Sequence, residues 1–493
     1  MQTPHSLLEK WDREADVVVV GYGAAGAATA ITAHDAGAKV LILEKAPEGE
    51  EGGNSRVAGQ GWFTPDAVDK AITYFNALSG PYTVPQEMVR AWAEEMTKNN
   101  EWVRGLGGNP LPRKPLGAEF PDLPGSDCVC TYLLDGQLGL GYEKLWKLLK
   151  SSVDKRDIEV LYATPAKKLI ENGRTNEILG VGAQRDGQEF SVKAKKAVVL
   201  TCGGFENNQE MVRDFLTNLP YCYPLGTPHN TGDGIKMAVA VGADLWHMSN
   251  IAAPWYSLKV PEFPAIMEMV PLHYAKEFPG GMIVVDREGK RFIDEKYRNS
   301  HGKMKVAGQW VQAPAPCPMY MIFDHVLFTG GILYDKNMYH SWNPLLKVYD
   351  WSDDNSAELA RGWIKRADTT AELAAKIGID PAALEESIGR WNTHCAEGKD
   401  PDFGRKRMLS PLDHAPYYAV EISPAFVNTQ GGPRRNERGQ IVRPDGTPIG
   451  RLYSAGELGS IYGFLYQGGG NLGECMAFGR ISGRNAVAEK AWS

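Results

Sequence analysis

The sequence predicts an α/β fold: one domain built on a βαβ unit, with an α+β capping domain inserted into it. Three observations carry that expectation. An apolar run at residues 16–20, DVVVV, leads into a turn containing Gly21, Gly23 and Gly26 and then a small-residue helix that stops at Gly37. A second apolar run ends in another glycine turn at Thr201, Cys202, Gly203 and Gly204. Between residues 244 and 416 the composition shifts toward Trp, Tyr, Met and Pro. A chain of 493 residues also exceeds one typical core. The expected division is 1–243 and 417–493 for the first domain and 244–416 for the inserted one.

A continuous apolar run suits a strand buried on both faces. G-x-G-x-x-G between such a strand and a helix is the dinucleotide fingerprint of a Rossmann-like domain. Gly21 allows the tight turn, Gly23 lets backbone approach a pyrophosphate, and Gly26 permits close helix–strand packing. Ala24 and Ala25 open the helix, whose unpaired N–H groups and positive dipole end suit that phosphate. The next strand, KVLILEK, ends in Glu44 and Lys45, with Glu44 placed to accept hydrogen bonds from an adenosine ribose.

The loop that follows, GGNSRVAGQG, points to FAD. Its Gly52, Gly53, Asn54, Ser55, Ala58, Gly59 and Gly61 offer small residues and backbone donors beside a pyrophosphate and ring system. Residues 162–169 read as a strand carrying Ala166, and a hairpin then leads into the second glycine turn. RLYSAGE reads as a last strand of the same sheet, with Gly456 and Glu457 at its end and Glu457 on a ribityl hydroxyl. GGGNLGEC starts a helix whose first residues, Gly470, Asn471 and Leu472, would aim N–H groups at a flavin carbonyl. The three glycines before Asn471 would let backbone come close to that ring. In the inserted domain, residues 369–395 read as an alanine-rich helical stretch.

Composition narrows the function classes. Net charge is −7, without a basic block, which argues against nucleic acid. No apolar stretch approaches the roughly 20 residues of a membrane span, and no leader pattern opens the chain, so a cytoplasmic location is expected. Seven scattered cysteines include no C-x-x-C, which gives no support to a metal ribbon or redox dithiol.

The ordered motifs resemble one family. They are the fingerprint with Glu44, GGNS, TCGGF, NTGDG (with Asn230, Gly232 and Asp233), GKRFIDE, NTQGGPRRN, LYSAGE and GNLGECMAFGR. Together they are similar to the FAD-dependent fumarate reductase/succinate dehydrogenase flavoprotein superfamily, and within it to the 3-ketosteroid dehydrogenase-like branch. The resemblance implies a GR2-type flavoprotein fold, FAD, and redox chemistry on a CH–CH bond beside an electron-withdrawing group. In the fumarate-reducing branch an arginine before the L-G turn holds the dicarboxylate, and Asn471 stands at that position here. That branch's His-Pro pair is replaced by NIAAPWYS, and its acid arginine falls at Asn299, with Arg298 one residue short. The steroid branch places a tyrosine before the turn, and Tyr466 matches it; Tyr297 is the best match for a second tyrosine.

Removing hydrogens α,β to a ketone needs a donor on the carbonyl and a base for the α-proton. The assignment is Tyr466 as donor, Tyr297 as proton acceptor with Arg298 as the cation that lowers its pKa, and Tyr462 as reserve. Tyr132 and Tyr142 are weaker candidates, and His229 and Asp233 read as structural. The expected activity is α,β-dehydrogenation of a mostly apolar ketone, of which a cyclic, 3-ketosteroid-like molecule is one form. Its small-molecule carbonyl substrate is the only partner with a signature; the electron acceptor has none. The alternatives are the reverse reduction of an enone or enoate, oxidation of a tricarballylate-type carboxylate through Arg434 and Arg435, and a flavin-binding electron carrier without turnover.

Overall fold

The computed structural model describes residues 10–113, 117–135, 143–253, 255–263, 266–273, 275–297, 300–335 and 349–492. Arg298, Asn299 and Tyr142 lie outside the described residues. The chain divides into two compact units, Met1–Met211 with Gly226–Ala252 and Asn428–Ser493, and Val212–Leu225 with Ala253–Val427.

The first unit is built on a mixed sheet. Strand β1 (Arg13–Val20) is followed by helix α1 (Ala24–Asp35) and strand β2 (Val40–Leu43). Val17 to Val20 pair in parallel with Val40 to Leu43 and are buried, which is why the run carries no alternation. A short edge strand β3 (Glu159–Leu161) adds beside β2. The expected strand at 162–169 is interrupted: Tyr162 to Pro165 form a turn, with Ala163 at φ 47°, and pairing resumes in β4 (Ala166–Glu171). The turn's N–H groups go to Ala46 and Glu44 carbonyls, and Pro165 has none to offer a ladder.

The hairpin is β5 (Ile178–Arg185) and β6 (Gln188–Leu200). Long β6 does two jobs: its first half pairs antiparallel with β5, and its apolar end pairs in parallel with β1. Strand β7 (Pro448–Ser454) comes from the far end of the chain and joins β6 in parallel, Leu452 opposite Val198. Helix α2 (Gly470–Ala488) then packs on α1. The crossing is built from small residues. A Cβ on Gly479 would stand 2.7 Å from Ala28 Cβ, and one on Gly483 would stand 2.8 Å from Thr29 O.

The second unit has a seven-stranded sheet whose centre is the strand Tyr417–Phe426, paired antiparallel with Met319–Phe323, Trp255–Leu258 and Ile364–Ala367. The unit runs from Ala253 past the expected 416 to Val427, because this central strand follows Pro416 in sequence, and it also takes in Val212–Leu225. The helical stretch is two helices, Thr370–Ile377 and Pro381–Glu397. Gly378 ends the first at φ 75°, and Asp380 caps the second by accepting from Ala382 N and Ala383 N. Their apolar faces, with Leu373, Leu384 and Trp391, cover Ile283, Ile322 and Ala419 of the sheet.

Gly26 is the tightest point of the βαβ unit: a Cβ there would lie 2.1 Å from Gly21 O and 2.9 Å from Thr201 Oγ1. Gly26→Ala should therefore destabilise the chain by about 1–3 kcal/mol through overpacking. Urea unfolding of the purified variant measures it, and a midpoint equal to wild type would refute the packing argument.

Candidate active site

A cavity opens at the carboxyl ends of β1, β2 and β6 in the first unit. Its wall includes Gly21, Gly23, Ala24, Ala25, Glu44, Lys45, Gly52, Gly53, Asn54 and Ser55. Ala166, Thr201, Gly203, Asn230, Asp233 and Glu457 complete the part read from sequence. Tyr22, Cys202, His229, Met237 and Cys475 also line it and were not assigned there. His229 had one signal, its place directly before NTGDG; Cys475 is hidden in the second turn of α2.

Several assigned residues shape the cavity from behind it. Gly26 packs under the first turn, and Gly204 makes room for Thr429 and Glu206, since a Cβ there would meet Thr429 Oγ1 at 2.1 Å. Gly232, at φ 77°, precedes the helix Asp233–Ala240, and the Gly456 carbonyl accepts from Arg435. Ala58, Gly59 and Gly61 run from the short helix Gly53–Val57 into the strand Trp62–Pro65.

The donor set fits an adenine dinucleotide. Glu44 is buried, and its two oxygens accept from Tyr22 N at 2.6 Å and Ala46 N at 2.7 Å, which fixes the carboxylate with further lone pairs on each oxygen. Burial pushes its pKa up against those two bonds. Lys45 reaches Asp233 at 2.7 Å and Thr231 at 2.6 Å, so it pins the NTGDG turn to the end of β2. Ser55 Oγ accepts from Ala24 N at the start of α1. At the start of α2 the Asn471 Oδ1 is buried without a partner, an acceptor at a positive helix end.

Asn54 does something the sequence did not suggest. Its amide donates to Glu206 Oε1 at 2.9 Å and Glu457 Oε2 at 3.2 Å, and so ties the buried Glu206 to the partly buried Glu457. Glu206 is pushed up to about 7, by burial first, and Glu457 is also raised, by burial and then by Glu206.

The segment carrying Tyr462 and Tyr466 is bolted down along its length. Glu474 of α2 is fully buried and pairs with Arg435, while accepting from Ser460 Oγ at 2.6 Å and Ile461 N at 2.9 Å. Tyr74 Oη donates to Gln467 Oε1 at 2.7 Å, and Gly468 N donates to Glu119 Oε2 at 2.9 Å. The glycines serve this packing. A Cβ on Gly470 would meet Tyr462 Oη at 2.5 Å, and one on Gly469 would meet Phe63 N at 2.9 Å. The Tyr462 and Tyr466 rings meet edge-on at 5.3 Å, and Tyr466 Oη accepts from Asn471 N at 3.2 Å.

Tyr297 belongs to the second unit, packed against its core with a buried hydroxyl that has no partner; burial and then Asp294 raise its pKa. Tyr132 sits on the small sheet with Trp62. Arg435 is occupied by Glu474 and by the Gly456 and Leu458 carbonyls, and Arg434 by Asp244.

The FAD binding domain family matches residues 16–472. The chain belongs to this FAD-binding family. Its cofactor is FAD, and the protein is an FAD-dependent oxidoreductase acting on CH–CH bonds, so the alternative of a carrier without turnover falls. Urocanate reductase of Eggerthella lenta is 28% identical, the alignment covering 96% of this chain and 75% of that one. A 3-oxosteroid 1-dehydrogenase of Mycolicibacterium smegmatis is also 28% identical, over 98% of both chains. The solved 3-ketosteroid delta1-dehydrogenase of Sterolibacterium denitrificans shares the fold, with a TM-score of 0.78 at 24% identity over 97% of this chain and 100% of that one. No helix among the described residues is long and apolar enough to cross a membrane.

Two tests follow from this flavoprotein's cofactor cavity. Glu44→Ala should weaken FAD binding by about 10–100-fold, the worth of a hydrogen bond to a charged group, and leave substrate preference unchanged. Fluorescence titration of the apoprotein measures it. For Glu206, the folded chain keeps the proton up to about pH 7 while an unperturbed glutamate releases it at 4.5. Stability from this group is therefore full below 4.5 and lost as pH rises toward 7. Glu206→Gln should flatten that decline in apoprotein melts across this window; an unchanged slope would contradict the assignment.

Proposed function

We propose that the protein dehydrogenates a mostly apolar ketone α,β to its carbonyl, with a 3-ketosteroid-like molecule as the model substrate. The observation that carries this reading is the Tyr466–Asn471 bond. An N–H at the start of α2 donates to the phenol oxygen, which strengthens the phenol as a donor in its turn. Burial keeps Tyr466 well above the ordinary tyrosine range, so it stays a phenol at neutral pH. That suits a group that polarises a carbonyl. The relatives named for 3-oxosteroids support the same class.

Tyr466 would donate to the carbonyl oxygen and make the α C–H acidic, and a base would take that proton. Tyr297 is the assigned base, and it needs a cation to bring it down, the part given to Arg298. Tyr462 is raised by burial and then by Glu474, which leaves it as a packing partner of Tyr466. When bound, FAD supplies the acceptor for the β-hydrogen as hydride, so that the C=C forms as the cofactor takes up two electrons. A tricarballylate-type substrate is disfavoured, because Arg434 and Arg435 already pair with Asp244 and Glu474. The reverse direction, reduction of an enone or enoate, is favoured by the urocanate reductase relative.

Anaerobic 4-androstene-3,17-dione should bleach the oxidised flavin, and succinate and tricarballylate should not. Bleaching by a carboxylate alone would overturn the ketone reading. Tyr466→Phe should lower kcat by about 10²–10³, the cost of one oxyanion donor, with the flavin still bound. Reoxidation of dithionite-reduced enzyme by an enone, without bleaching by any ketone, would establish the reductive direction instead.

A further inference from the structure

We propose that His247 is the positioning residue of the tyrosine-bearing segment 459–466, holding it by a hydrogen bond to Ser460 and by filling the space beside Gly463. The role rests on the reading of Tyr466 above, and its first test does not.

Three side chains from one short stretch catch three carbonyls of that segment. Trp246 Nε1 donates to Gly459 O at 3.2 Å, His247 Nδ1 lies 2.8 Å from Ser460 O, and Asn250 Nδ2 donates to Tyr462 O at 2.9 Å. A carbonyl accepts only, so the imidazole carries its proton on Nδ1. His247 is the unusual member. Its backbone has φ 57°, in the left-handed region that non-glycine residues enter rarely and that gathers where surrounding structure enforces it. Its ring lies flat on Trp246, with centroids 4.2 Å apart and planes 12° apart. Nε2 stands where a Gly463 side chain would start: a Cβ there would be 2.5 Å away. Burial, with Arg434 and Arg435 nearby, lowers its pKa to about 4, so it is a neutral donor in ordinary buffers.

The geometry gives the histidine two contacts on the segment that bears both tyrosines. The residues just beyond that segment are fixed by different groups, Gln467 through Tyr74 and Gly468 through Glu119. Loss of the His247 contacts should therefore loosen residues 459–463 while α2 and the cofactor cavity stay in place.

Two variants separate the side chain from its backbone. Glycine and asparagine both tolerate a positive φ, but only asparagine offers an N–H for Ser460. In FAD-loaded protein, His247→Gly should speed amide exchange in peptides covering 459–466 by about tenfold, as expected for one lost hydrogen bond, and His247→Asn should not. Flavin content and melting temperature should match wild type in both. With the ketosteroid probe, His247→Gly should lower kcat by about tenfold at an unchanged KM, and His247→Asn should restore most of it. Gly463→Ala should be impaired, and adding His247→Gly should relieve the crowding, so that the two effects fail to add. Unchanged exchange in His247→Gly, or equal loosening in both variants, overturns the proposal. Faster exchange with wild-type turnover, in a protein that Tyr466→Phe inactivates, overturns the positioning role. If Tyr466→Phe is also fully active, faster exchange still supports the clasp, and the catalytic reading of Tyr466 is what fails.

Discussion

One buried carboxylate organises the far end of the first unit. Glu474 sits inside α2 with no exposure to speak of, and it binds Arg435, the Ser460 hydroxyl and the Ile461 N–H. Arg435 in turn holds the Gly456 and Leu458 carbonyls at the end of β7. A single charge pair thus joins the last strand, the tyrosine segment, the GGPRRN stretch and α2. Burying two ions is costly unless every remaining donor and acceptor is met, and removing one partner alone costs about 3–5 kcal/mol. The guanidinium's stacking over Phe478 at 4.4 Å adds to its fixation.

What the sequence revealed follows from how local each signal is. The unit from Asp16 to Glu44 was legible because strand, turn, helix and acid lie within one continuous stretch, and each obeys a short-range rule. The same holds for β6, β7 and the start of α2. The inserted unit's limits were not legible, because Tyr417–Phe426 becomes a central strand through partners as far away as Trp255 and Met319. Nor could the sequence separate a ligand-facing arginine from a structural one. Arg434 and Arg435 are neighbours, yet one is exposed beside Asp244 and the other wholly enclosed with Glu474.

The glycine run has a second cause that the pattern alone does not show. Beside any approach to a ring system, the space left by Gly469 and Gly470 is taken by Phe63 and Tyr462 of the protein itself. Asn54 is a similar case. It was expected to face the cofactor, and it does line the cavity, but its amide is engaged by two carboxyls whose positions depend on residues 206 and 457. Residue type located both sites, and three-dimensional partners decided their tasks.

The parallel pairing of β7 with β6 has a consequence for synthesis. The cofactor cavity draws on Gly21 at one end of the chain and Cys475 at the other. A ribosome making the chain N-terminus first produces β1, α1 and β2 long before β7 and α2 exist to cover them. Until then the apolar end of β6 presents an open edge next to its turn, and α1 lacks the helix that packs on its alanines. Such non-local closure is slow, because loop-closure entropy is met before the contacts reward it. The wall of that cavity is whole only once Cys475 has joined it.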